Sequence, residues 1–443
     1  MNNANSPGPH IVVLGAGFAG LRFAQKFPDG LARVTVVDRT NHHLFQPLLY
    51  QVATAGLAVP DIAQPVRSIL ARKRDVTVLM DEARNVDLAA RRVEFQSAGT
   101  LSYDYLVMAL GGRTSYFGHP EWEQFAPGLK TIEDALRIRR EVLGSFEQAE
   151  RTDDPAERRR LMTVVVIGGG PTGVELAGTF AELQRHVLAR DFRRLNLAMA
   201  RVVLIEGGPR VLAAFPEALS DSARQQLEDL GVHVRLGTKV KEVRSGEVVT
   251  ESETFAAANI IWAAGVSAVP LTAKLGVELD RGGRVKVGPD LSMPGHPEVF
   301  ALGDMATLTD ANGVAVPPLC PAALQMGAYV AKVLAREIRA RTAERSAGPA
   351  NMAAETTPPK RTTRPPFKYL DKGIMATIGR SRAVATTAGL KFTGMIAWLM
   401  WLFVHLLFLV GFRNKLSVFI SWIYSYLTYK RGARVIYGTE NPK

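Results

Sequence analysis

The chain contains a single cysteine, Cys320, in 443 residues. One thiol can form neither an intramolecular disulfide nor a Cys-x-x-Cys redox centre, so the disulfide reductases are excluded as a class. The polar N-terminal segment MNNANSPGPH has no apolar run of the kind that a secretory signal requires. We therefore expect the catalytic body to stay in the reducing environment of the cytoplasm.

Negative charge is scarce near the C-terminus. From Ala388 to the end there are seven Lys or Arg and one acid, Glu440, in a chain of net charge +12. The same segment is apolar and aromatic, so the basic charge indicates an anionic membrane surface as partner and gives little support to nucleic acid. The chain also lacks a series of apolar spans with buried ionisable residues, so proton pumping is not indicated.

Two glycine fingerprints of one type, IVVLGAGFAG and VVVIGGGPTG, occur in the two halves of the chain. Their glycines are Gly15, Gly17 and Gly20 in the first, and Gly168, Gly170 and Gly173 in the second. Such glycines permit a sharp turn, a close approach of pyrophosphate, and tight packing of the following helix, whose N-terminus attracts anions. The next strand ends at Asp38 in one copy and at Glu206 in the other, and a carboxylate there suits ribose hydroxyls. The sequence therefore predicts two dinucleotide sites.

The C-terminal tail contains two apolar segments. Met395–Phe412 is almost continuously apolar and close to the length of a spanning helix. Leu416–Tyr429 is too short to span and has one apolar face and one serine-rich face, as an amphipathic helix has. A spanning helix followed by an interfacial helix fits this pattern, and so does a hairpin that lies in the interface. The central His405 and the cationic flanks favour the hairpin.

The order of these motifs resembles that of the type II NADH:quinone oxidoreductases, the single-subunit alternative NADH dehydrogenases. The similar segments extend over nearly the whole chain: GAGFAG at 15–20, HLFQPLLYQVATAGL at 43–57, GGGPTGVELAG at 168–178, LIEGGPRVL at 204–212, ALGDMA at 301–306, PAALQMG at 321–327 and DKGIMATIGR at 371–380. The glycine motifs are shared with many flavoproteins, whereas LLYQVATAGL and the aromatic tail are more specific. In one departure, Pro321 replaces the first Gln of the family's Ala-Gln-x-Ala-x-Gln pattern, and the second Gln is Gln325.

The resemblance implies an α/β fold of two nested doubly wound, Rossmann-like domains with a C-terminal amphipathic membrane-anchoring helical region. The predicted bounds are 1–130, 286–340 and 367–388 for an FAD-binding domain, 131–285 for an NADH-binding domain, 341–366 for a flexible loop, and 389–443 for the membrane anchor. The implied activity passes hydride from NADH to FAD and then two electrons to a membrane quinone, without proton pumping. The implied location is the cytoplasmic face of the cell inner membrane, with the lipid bilayer surface as partner, and a homodimer is left open.

The resemblance also implies site residues. The predicted FAD-binding residues are Gly15, Gly17, Phe18, Ala19, Gly20, Asp38, Arg39, Thr54, Ala109, Gly111, Gly303, Asp304, Ala322 and Lys372. The predicted NADH-binding residues are Gly168, Gly170, Pro171, Thr172, Gly173, Glu175, Glu206, Ala264 and Gly265. The predicted quinone-binding residues are Pro321, Gln325 and Met326.

Glu175, Lys372 and Gln325 are the predicted catalytic residues. By resemblance, Glu175 reaches the contact between flavin and nicotinamide, Lys372 pairs with Glu175, and Gln325 hydrogen-bonds a quinone carbonyl. The adjacent His42 and His43 do not make a metal site, since two neighbouring ligands are too few.

Two other functions share part of this pattern. A soluble flavin reductase for ferredoxin or another protein acceptor would carry both fingerprints but would not need the aromatic, cationic tail. A membrane-attached structural or signalling flavoprotein would keep the tail but turn over slowly. Oxidation of NADH measured with and without added quinone separates these functions.

Overall fold

The computed structural model describes residues 8–311, 313–346, 364–428 and 432–436. The chain divides into two compact units. Unit 1 comprises Met1–His43, Gln64–Arg113 and Val266–Asp371, and unit 2 comprises Leu44–Ala63, Thr114–Gly265 and Lys372–Lys443. Two changes of unit thus fall at 113/114 and 265/266, whereas the sequence placed the corresponding domain bounds at 130/131 and 285/286.

The strands and helices have the following bounds. The strands are β1 (His10–Leu14), β2 (Arg33–Asp38), β3 (His42–Leu44), β4 (Ala63–Pro65), β5 (Val76–Met80), β6 (Ala83–Asp87), β7 (Arg92–Phe95), β8 (Thr100–Ser102), β9 (Tyr105–Met108), β10 (Gly112–Thr114), β11 (Thr163–Ile167), β12 (Arg201–Ile205), β13 (Val232–Arg235), β14 (Val240–Arg244), β15 (Glu247–Thr250), β16 (Thr254–Ala256), β17 (Asn259–Trp262), β18 (Val266–Ala268), β19 (Val285–Lys286), β20 (Ser292–Met293), β21 (His296–Ala301), β22 (Ala306–Thr307), β23 (Ile374–Gly379), β24 (Arg382–Thr387) and β25 (Leu390–Thr393). The helices are α1 (Phe18–Lys26), α2 (Leu49–Ala53), α3 (Val59–Ile62), α4 (Val66–Ile69), α5 (Ile132–Arg151), α6 (Pro155–Leu161), α7 (Pro171–Glu182), α8 (Ala189–Asp191), α9 (Glu217–Asp229), α10 (Cys320–Ser346), α11 (Gly394–Phe408) and α12 (Phe412–Thr428).

Unit 1 is built on a six-stranded sheet in the order β20–β21–β9–β1–β2–β5. All neighbouring pairs are parallel except β20 with β21. The central strands β1 and β9 are apolar on both faces because each face is covered: α1 and α10 pack in one core, and the β6–β8 meander contributes to the other. The βαβ unit that the first fingerprint predicts is formed by β1, α1 and β2.

Unit 2 contains a parallel sheet in the order β13–β12–β11–β17, and β11 carries the second fingerprint at its carboxyl end. An antiparallel meander, β14–β15–β16, contributes to an aromatic core with Tyr116, Trp122 and Trp262. The central position of β11 in this sheet places the second glycine turn between the ends of its two neighbours, where ligands bind in doubly wound folds.

Unit 2 contains a second antiparallel sheet, β23–β24–β25, which begins inside the segment 367–388 that the sequence assigned to the FAD-binding domain. From Lys372 onward this segment belongs to unit 2, and it forms strands. It packs on α7 at Gly178, where an added Cβ would lie 1.7 Å from the carbonyl oxygen of Ile378. Only a glycine permits this approach of helix to strand, and the motif GGGPTGVELAG gives no sign of which strand the helix meets.

The prediction of a flexible loop over residues 341–366 is partly wrong. Helix α10 continues to Ser346, so the beginning of the segment is helical, and residues 347–363 lie outside the described ranges.

The tail forms two helices, α11 and α12, and the apolar segment Met395–Phe412 is divided between them. Gly411, with φ +88°, stands at the break, in a conformation that favours glycine. Within the residues described, no helix is long and apolar enough to cross a membrane. The two helices follow each other directly in the chain, and their arrangement in a lipid interface stays a prediction.

Candidate functional site

The first glycine turn lies in unit 1 between β1 and α1. Gly15 has φ +96°, and an added Cβ would lie 2.4 Å from the carbonyl oxygen of Ala109. At Gly20 an added Cβ would lie 1.9 Å from the carbonyl oxygen of Gly15, so helix and turn are in backbone contact. Gly17 is the N-cap of α1; no side chain caps it, and a Cβ there would meet nothing within 4 Å. This arrangement leaves space for a pyrophosphate at the positive end of α1.

Asp38 is fixed beside this turn. Its Oδ2 accepts a hydrogen bond from the backbone N–H of Ala16 at 2.7 Å, and its Oδ1 accepts from the N–H and the hydroxyl of Thr40, each at 2.8 Å. Of the other predicted FAD-binding residues here, Phe18 contacts the ring of His43 edge-on at 5.1 Å, Ala19 is buried, and Arg39 directly follows Asp38. The Asp38 carboxylate is thus held at the end of β2, where a ribose would lie.

His43 has a packing role that the sequence did not suggest. Its Nδ1 is 3.0 Å from the carbonyl oxygen of Ala16 in the glycine turn. Burial lowers the pKa of its imidazole, so the neutral form is favoured. We infer that the buried ring supports the turn.

The remaining predicted FAD-binding residues of unit 1 follow strands that neighbour each other. Ala109 and Gly111 follow β9, Gly303 and Asp304 follow β21, and Ala322 is buried in the first turn of α10. Gly303 has φ +70°, and an added Cβ would lie 3.6 Å from the Cβ of Ala323 and 3.8 Å from that of Ala19. The structure therefore brings these segments together with the first turn of α1.

Gly327 belongs to the same region, although sequence reasoning missed its role. An added Cβ on Gly327 would lie 2.2 Å from the carbonyl oxygen of Ala19, so α10 and α1 cross in backbone contact. The motif PAALQMG contained this glycine, but a glycine within a helix does not identify its partner.

The predicted quinone residues lie at the start of α10, with Pro321 in the first turn. The side-chain amide of Gln325 is paired with the main chain of Leu370: its Nε2 donates to the carbonyl oxygen at 3.0 Å, and its Oε1 accepts from the N–H at 2.9 Å. Met326 is buried, and its sulfur accepts from the N–H of Gly303 at 3.2 Å. In this conformation the side chain of Gln325 holds the main chain at Leu370 through one of the two N–H groups of Nε2 and through Oε1.

The second glycine turn, in unit 2, repeats the geometry of the first. Gly168 has φ +112°, and an added Cβ would lie 2.7 Å from the backbone nitrogen of Ala264. An added Cβ on Gly173 would lie 1.8 Å from the carbonyl oxygen of Gly168. Gly170 is the N-cap of α7 without a side-chain cap, and a Cβ there would again meet nothing within 4 Å. Pro171 and Thr172 form the first turn of α7, and Ala264 and Gly265 follow β17.

Glu206 occupies the position in unit 2 that Asp38 occupies in unit 1. Its Oε2 accepts from the N–H of Gly169 at 2.6 Å, and its Oε1 accepts from the N–H of Gly208 at 2.6 Å. In both units, therefore, the acid that ends the second strand is bound by the N–H of the middle residue of the glycine turn. The chain between the glycine-turn helix and the next strand is longer in unit 2, from Glu182 to Arg201, than in unit 1, from Lys26 to Arg33, yet the acid is placed in the same way.

Glu175 is buried in α7, with 9% of its surface exposed. Burial raises the pKa of its carboxyl group to about 8, although the backbone N–H of Thr377 acts to lower it. The carboxyl is therefore mainly protonated at neutral pH. The buried phenol of Tyr50 has a raised pKa, first because of burial and then because of Glu175.

Lys372 does not form the predicted pair with Glu175. Throughout the described part of the chain, no ion pair joins the two, and Lys372 is exposed. Its ammonium lies 5.7 Å from the ring centroid of Phe408, and its carbonyl oxygen accepts from the hydroxyl of Thr387 at 3.1 Å. A role of Lys372 at the flavin stays a prediction.

The family described as Pyridine nucleotide-disulphide oxidoreductase matches residues 9–327, and the NDH2 C-terminal domain matches residues 372–430. Type II NADH:quinone oxidoreductase Ndh of Mycobacterium tuberculosis is 42% identical, over 98% of this chain and 91% of that protein. The chain belongs to the type II NADH:quinone oxidoreductase family. NdhA of the same organism is 40% identical, over 96% of this chain and 89% of that protein.

Solved structures agree with the fold of this family. NDH2 from Plasmodium falciparum, in complex with NADH, has a TM-score of 0.86 at 20% identity, covering 96% of this chain and 99% of that chain. The sulfide:quinone oxidoreductase of Aquifex aeolicus has a TM-score of 0.69 at 18% identity, covering 94% of this chain and 96% of that chain. At these identities the likeness concerns the fold alone.

The first turn of this type II family member fits an FAD. The open space at Gly17, the uncapped N-terminus of α1 and the fixed carboxylate of Asp38 are what a pyrophosphate and a ribose require. Of the predicted FAD residues, Thr54 and Lys372 lie in unit 2, where the hydroxyl of Thr54 donates to the carbonyl oxygen of Tyr50 at 2.9 Å.

Unit 2 also contains a buried cluster of polar and aromatic side chains, which the sequence did not predict. The indole N–H of Trp422 donates to Oε1 of Gln51 at 2.8 Å, and Nε2 of Gln51 donates to the hydroxyl of Tyr50 at 2.8 Å. His405 stacks on Trp401 at 4.0 Å, its Nδ1 lies 2.8 Å from the carbonyl oxygen of Trp401, and burial lowers its pKa to about 4. One face of the tail is therefore part of the packed interior of unit 2, because Trp401 and Trp422 contact the buried side chains of α2.

Proposed function

We propose that the chain is an FAD-dependent NADH:quinone oxidoreductase that does not pump protons. The observation that carries this proposal is the repeated turn: two glycine turns, each with an open, uncapped N-cap glycine and a carboxylate bound to the middle N–H. Two such sites suit two dinucleotides. The family, whose relatives are named for NADH and quinone, supplies the substrates.

In this proposal FAD, when bound at the first turn, supplies the ability to accept a hydride from NADH and to release two electrons to a quinone. The protein residues bind and orient the reactants. The N-terminus of α1 binds the flavin pyrophosphate and Asp38 its ribose, while the N-terminus of α7 binds the NADH pyrophosphate and Glu206 its ribose. A 2′-phosphate would meet the carboxylate of Glu206, so NADH is preferred to NADPH.

Glu175 is proposed to hold a proton in the site. Reduction of a quinone by NADH takes up one proton from solution for each hydride delivered, so a buried acid that stays protonated near neutral pH is useful. The raised pKa of Glu175 supports this role. Lys372 is proposed to assist from the surface, and Pro321, Gln325 and Met326 are proposed to border the quinone.

The tail supports peripheral attachment to a membrane, and we propose that the face is the cytoplasmic one. In α12 five apolar residues face outward: Leu416, Phe419, Ile420, Ile423 and Leu427 are between 45% and 75% exposed. The buried face of α12 carries Asn414, Val418 and Trp422 instead. An exposed apolar face with nearby cations is typical of a helix that lies in a lipid interface. We propose this peripheral mode of attachment, which gives access to a lipid-soluble quinone and leaves a homodimer open.

Anaerobic mixing tests the function. Purified protein is mixed with NADH and then with a quinone analogue, while the flavin absorbance is recorded. We expect NADH to bleach the flavin and the quinone to restore its colour rapidly. Reoxidation by ferredoxin but not by quinone would favour the soluble reductase, and slow reduction by NADH would favour the structural or signalling flavoprotein.

A further inference from the structure

Phe117 adopts a backbone conformation that a bulky residue rarely takes. It lies in a tight turn in which the N–H of His119 donates to the carbonyl oxygen of Tyr116 at 3.1 Å. The two central residues have positive φ, +51° at Phe117 and +96° at Gly118. This is the signature of a type I′ turn, whose first central position normally holds Asn, Asp or Gly. A phenylalanine there is disfavoured, since its Cβ crowds the backbone.

The aromatic residues Tyr116 and Trp262 beside Phe117 are buried, whereas its own ring touches Trp262, at 6.3 Å between ring centroids, and is otherwise mostly exposed. Tyr116 is buried, its hydroxyl donates to the carbonyl oxygen of Ala126 at 2.9 Å, and its ring lies 5.3 Å from that of Trp262. The indole N–H of Trp262 donates to the carbonyl oxygen of Ser115 at 2.9 Å. Phe117 itself is 68% exposed. The strain is therefore not offset by burial of the ring, and an unfavourable conformation held by rigid neighbours often marks a functional position.

The ring of Phe117 lies beside the second glycine turn. An added Cβ on Gly265 would lie 2.7 Å from Cζ of Phe117, and the N–H of Ser115 donates to the carbonyl oxygen of Gly265 at 3.3 Å. Gly265 directly follows Ala264, which lies against Gly168 of the turn. The turn thus has Glu206, at the end of β12, on one side and Phe117, beside the end of β17, on the other.

The position of Phe117 indicates which half of a bound dinucleotide its ring would contact. The acid that ends the second strand binds the adenosine ribose, so the adenosine half extends over β12. The nicotinamide half then leaves the pyrophosphate on the opposite side, over β17. An exposed aromatic ring on that side offers an apolar, flat surface, and rings of this kind gain contact area when another planar group packs on them.

We propose that Phe117 is a specificity-determining residue whose ring forms a wall against the nicotinamide half of NADH. This inference rests on the proposed function, because it requires NADH to bind at the second turn. Binding of the nicotinamide half covers the exposed ring, and the contact area gained in this way adds to the affinity. The strained backbone conformation holds the ring in the position where this contact is made. ADP-ribose, which lacks the nicotinamide, does not reach the wall.

Phe117→Asn tests the proposal, because Asn removes the ring and suits the turn. The FAD-loaded, full-length enzyme is titrated with 1,4,5,6-tetrahydro-NADH, a non-reducing analogue, and separately with ADP-ribose. We expect the Kd for the analogue to rise on the order of tenfold, as for loss of one aromatic contact, and the Kd for ADP-ribose to stay unchanged. The melting temperature should stay the same or rise, since the turn loses its strain.

Two further variants serve as controls. Phe117→Tyr keeps the ring and should retain the wild-type Kd for the analogue. Phe255 lies on β16, and its partly buried ring packs against the same aromatic core. Phe255→Leu replaces this ring by a smaller side chain and should leave both affinities unchanged.

Other results would overturn the inference. Equal affinities of wild type and Phe117→Asn for the analogue would mean that the ring makes no contact with the nicotinamide half. A parallel loss of both ligands, with a lowered melting temperature, would mean that Phe117 only maintains the structure. Failure of the wild-type enzyme to bind either ligand would refute the proposed function itself, which is a separate outcome.

Discussion

Replacement of Glu175 by Gln should make the protein more stable at alkaline pH while impairing catalysis. The buried carboxyl has a pKa of about 8 compared with an ordinary value of 4.5. In the unfolded chain the group ionises at the ordinary value, so between pH 4.5 and about 8 unfolding releases a proton. The free energy of unfolding of the wild type therefore falls as pH rises through this window and levels off above it. Gln mimics the neutral acid and has no proton to lose.

The size of the effect follows from the pKa shift. At roughly 1.4 kcal/mol per pH unit, the difference between the two pKa values corresponds to about 5 kcal/mol. Relaxation of the folded protein around an ionised Glu175 would reduce this, so about 5 kcal/mol is an upper bound. We expect the stability advantage of Glu175→Gln to be near zero at pH 5 and largest above pH 8.

Urea denaturation of the FAD-loaded enzyme at pH 5, 7 and 9 measures this advantage. Glu147→Gln is the matched control, because it makes the same change at an exposed carboxylate on α5. The reasoning is refuted if the advantage of Glu175→Gln is the same at all three pH values, or if the control gains as much. Turnover with NADH and quinone should fall in Glu175→Gln at every pH and should not fall in the control.

Three further predictions concern the nucleotide, the quinone and the membrane. Glu206→Gln should weaken NADH use and reduce the preference over NADPH, measured as the ratio of kcat/KM values; an unchanged ratio would contradict the role of the carboxylate. Gln325→Ala should slow reoxidation of the reduced flavin by quinone more than reduction of the flavin by NADH. It should also lower the melting temperature because Leu370 loses two hydrogen bonds. Stopped-flow traces in which only reduction by NADH is slower would contradict the assignment of Gln325 to the quinone side of the flavin. Substitution of both Ile420 and Leu427 by Ser should reduce binding to anionic vesicles in a flotation assay without loss of flavin, since both side chains are mostly exposed; undiminished binding would argue against α12 as the attachment surface.

Local patterns were sufficient to predict the two dinucleotide turns. Each glycine of the fingerprints acts within its own turn: Gly15 by its positive φ, Gly20 by contact with Gly15, and Gly17 by leaving space at a helix start. These are short-range requirements of the backbone, so they are visible in consecutive residues. For the same reason the acids Asp38 and Glu206 could be located at strand ends, and the sequence as a whole could be recognised as similar to type II NADH:quinone oxidoreductases.

Long-range contacts could not be predicted in this way. Gly178 and Gly327 are contact points between elements far apart in the sequence, and the sequence did not show which partners they meet. The pairing of Gln325 with Leu370 joins residues 45 positions apart, and the exposure of Lys372 likewise depends on the folded chain around it. A residue type at the expected position therefore indicated the chemistry but not the direction of its side chain.

The tail shows the same division most clearly. Its composition determined that it has apolar, aromatic and basic character, since these properties depend only on which residues are present. Only the tertiary structure decided that Trp401 is buried beside α2 while the apolar residues of α12 point outward. The reason is that hydrophobic burial is not directional: an apolar side chain is stabilised equally by a protein core or by lipid, and only the packing of the remaining chain determines which of the two it meets.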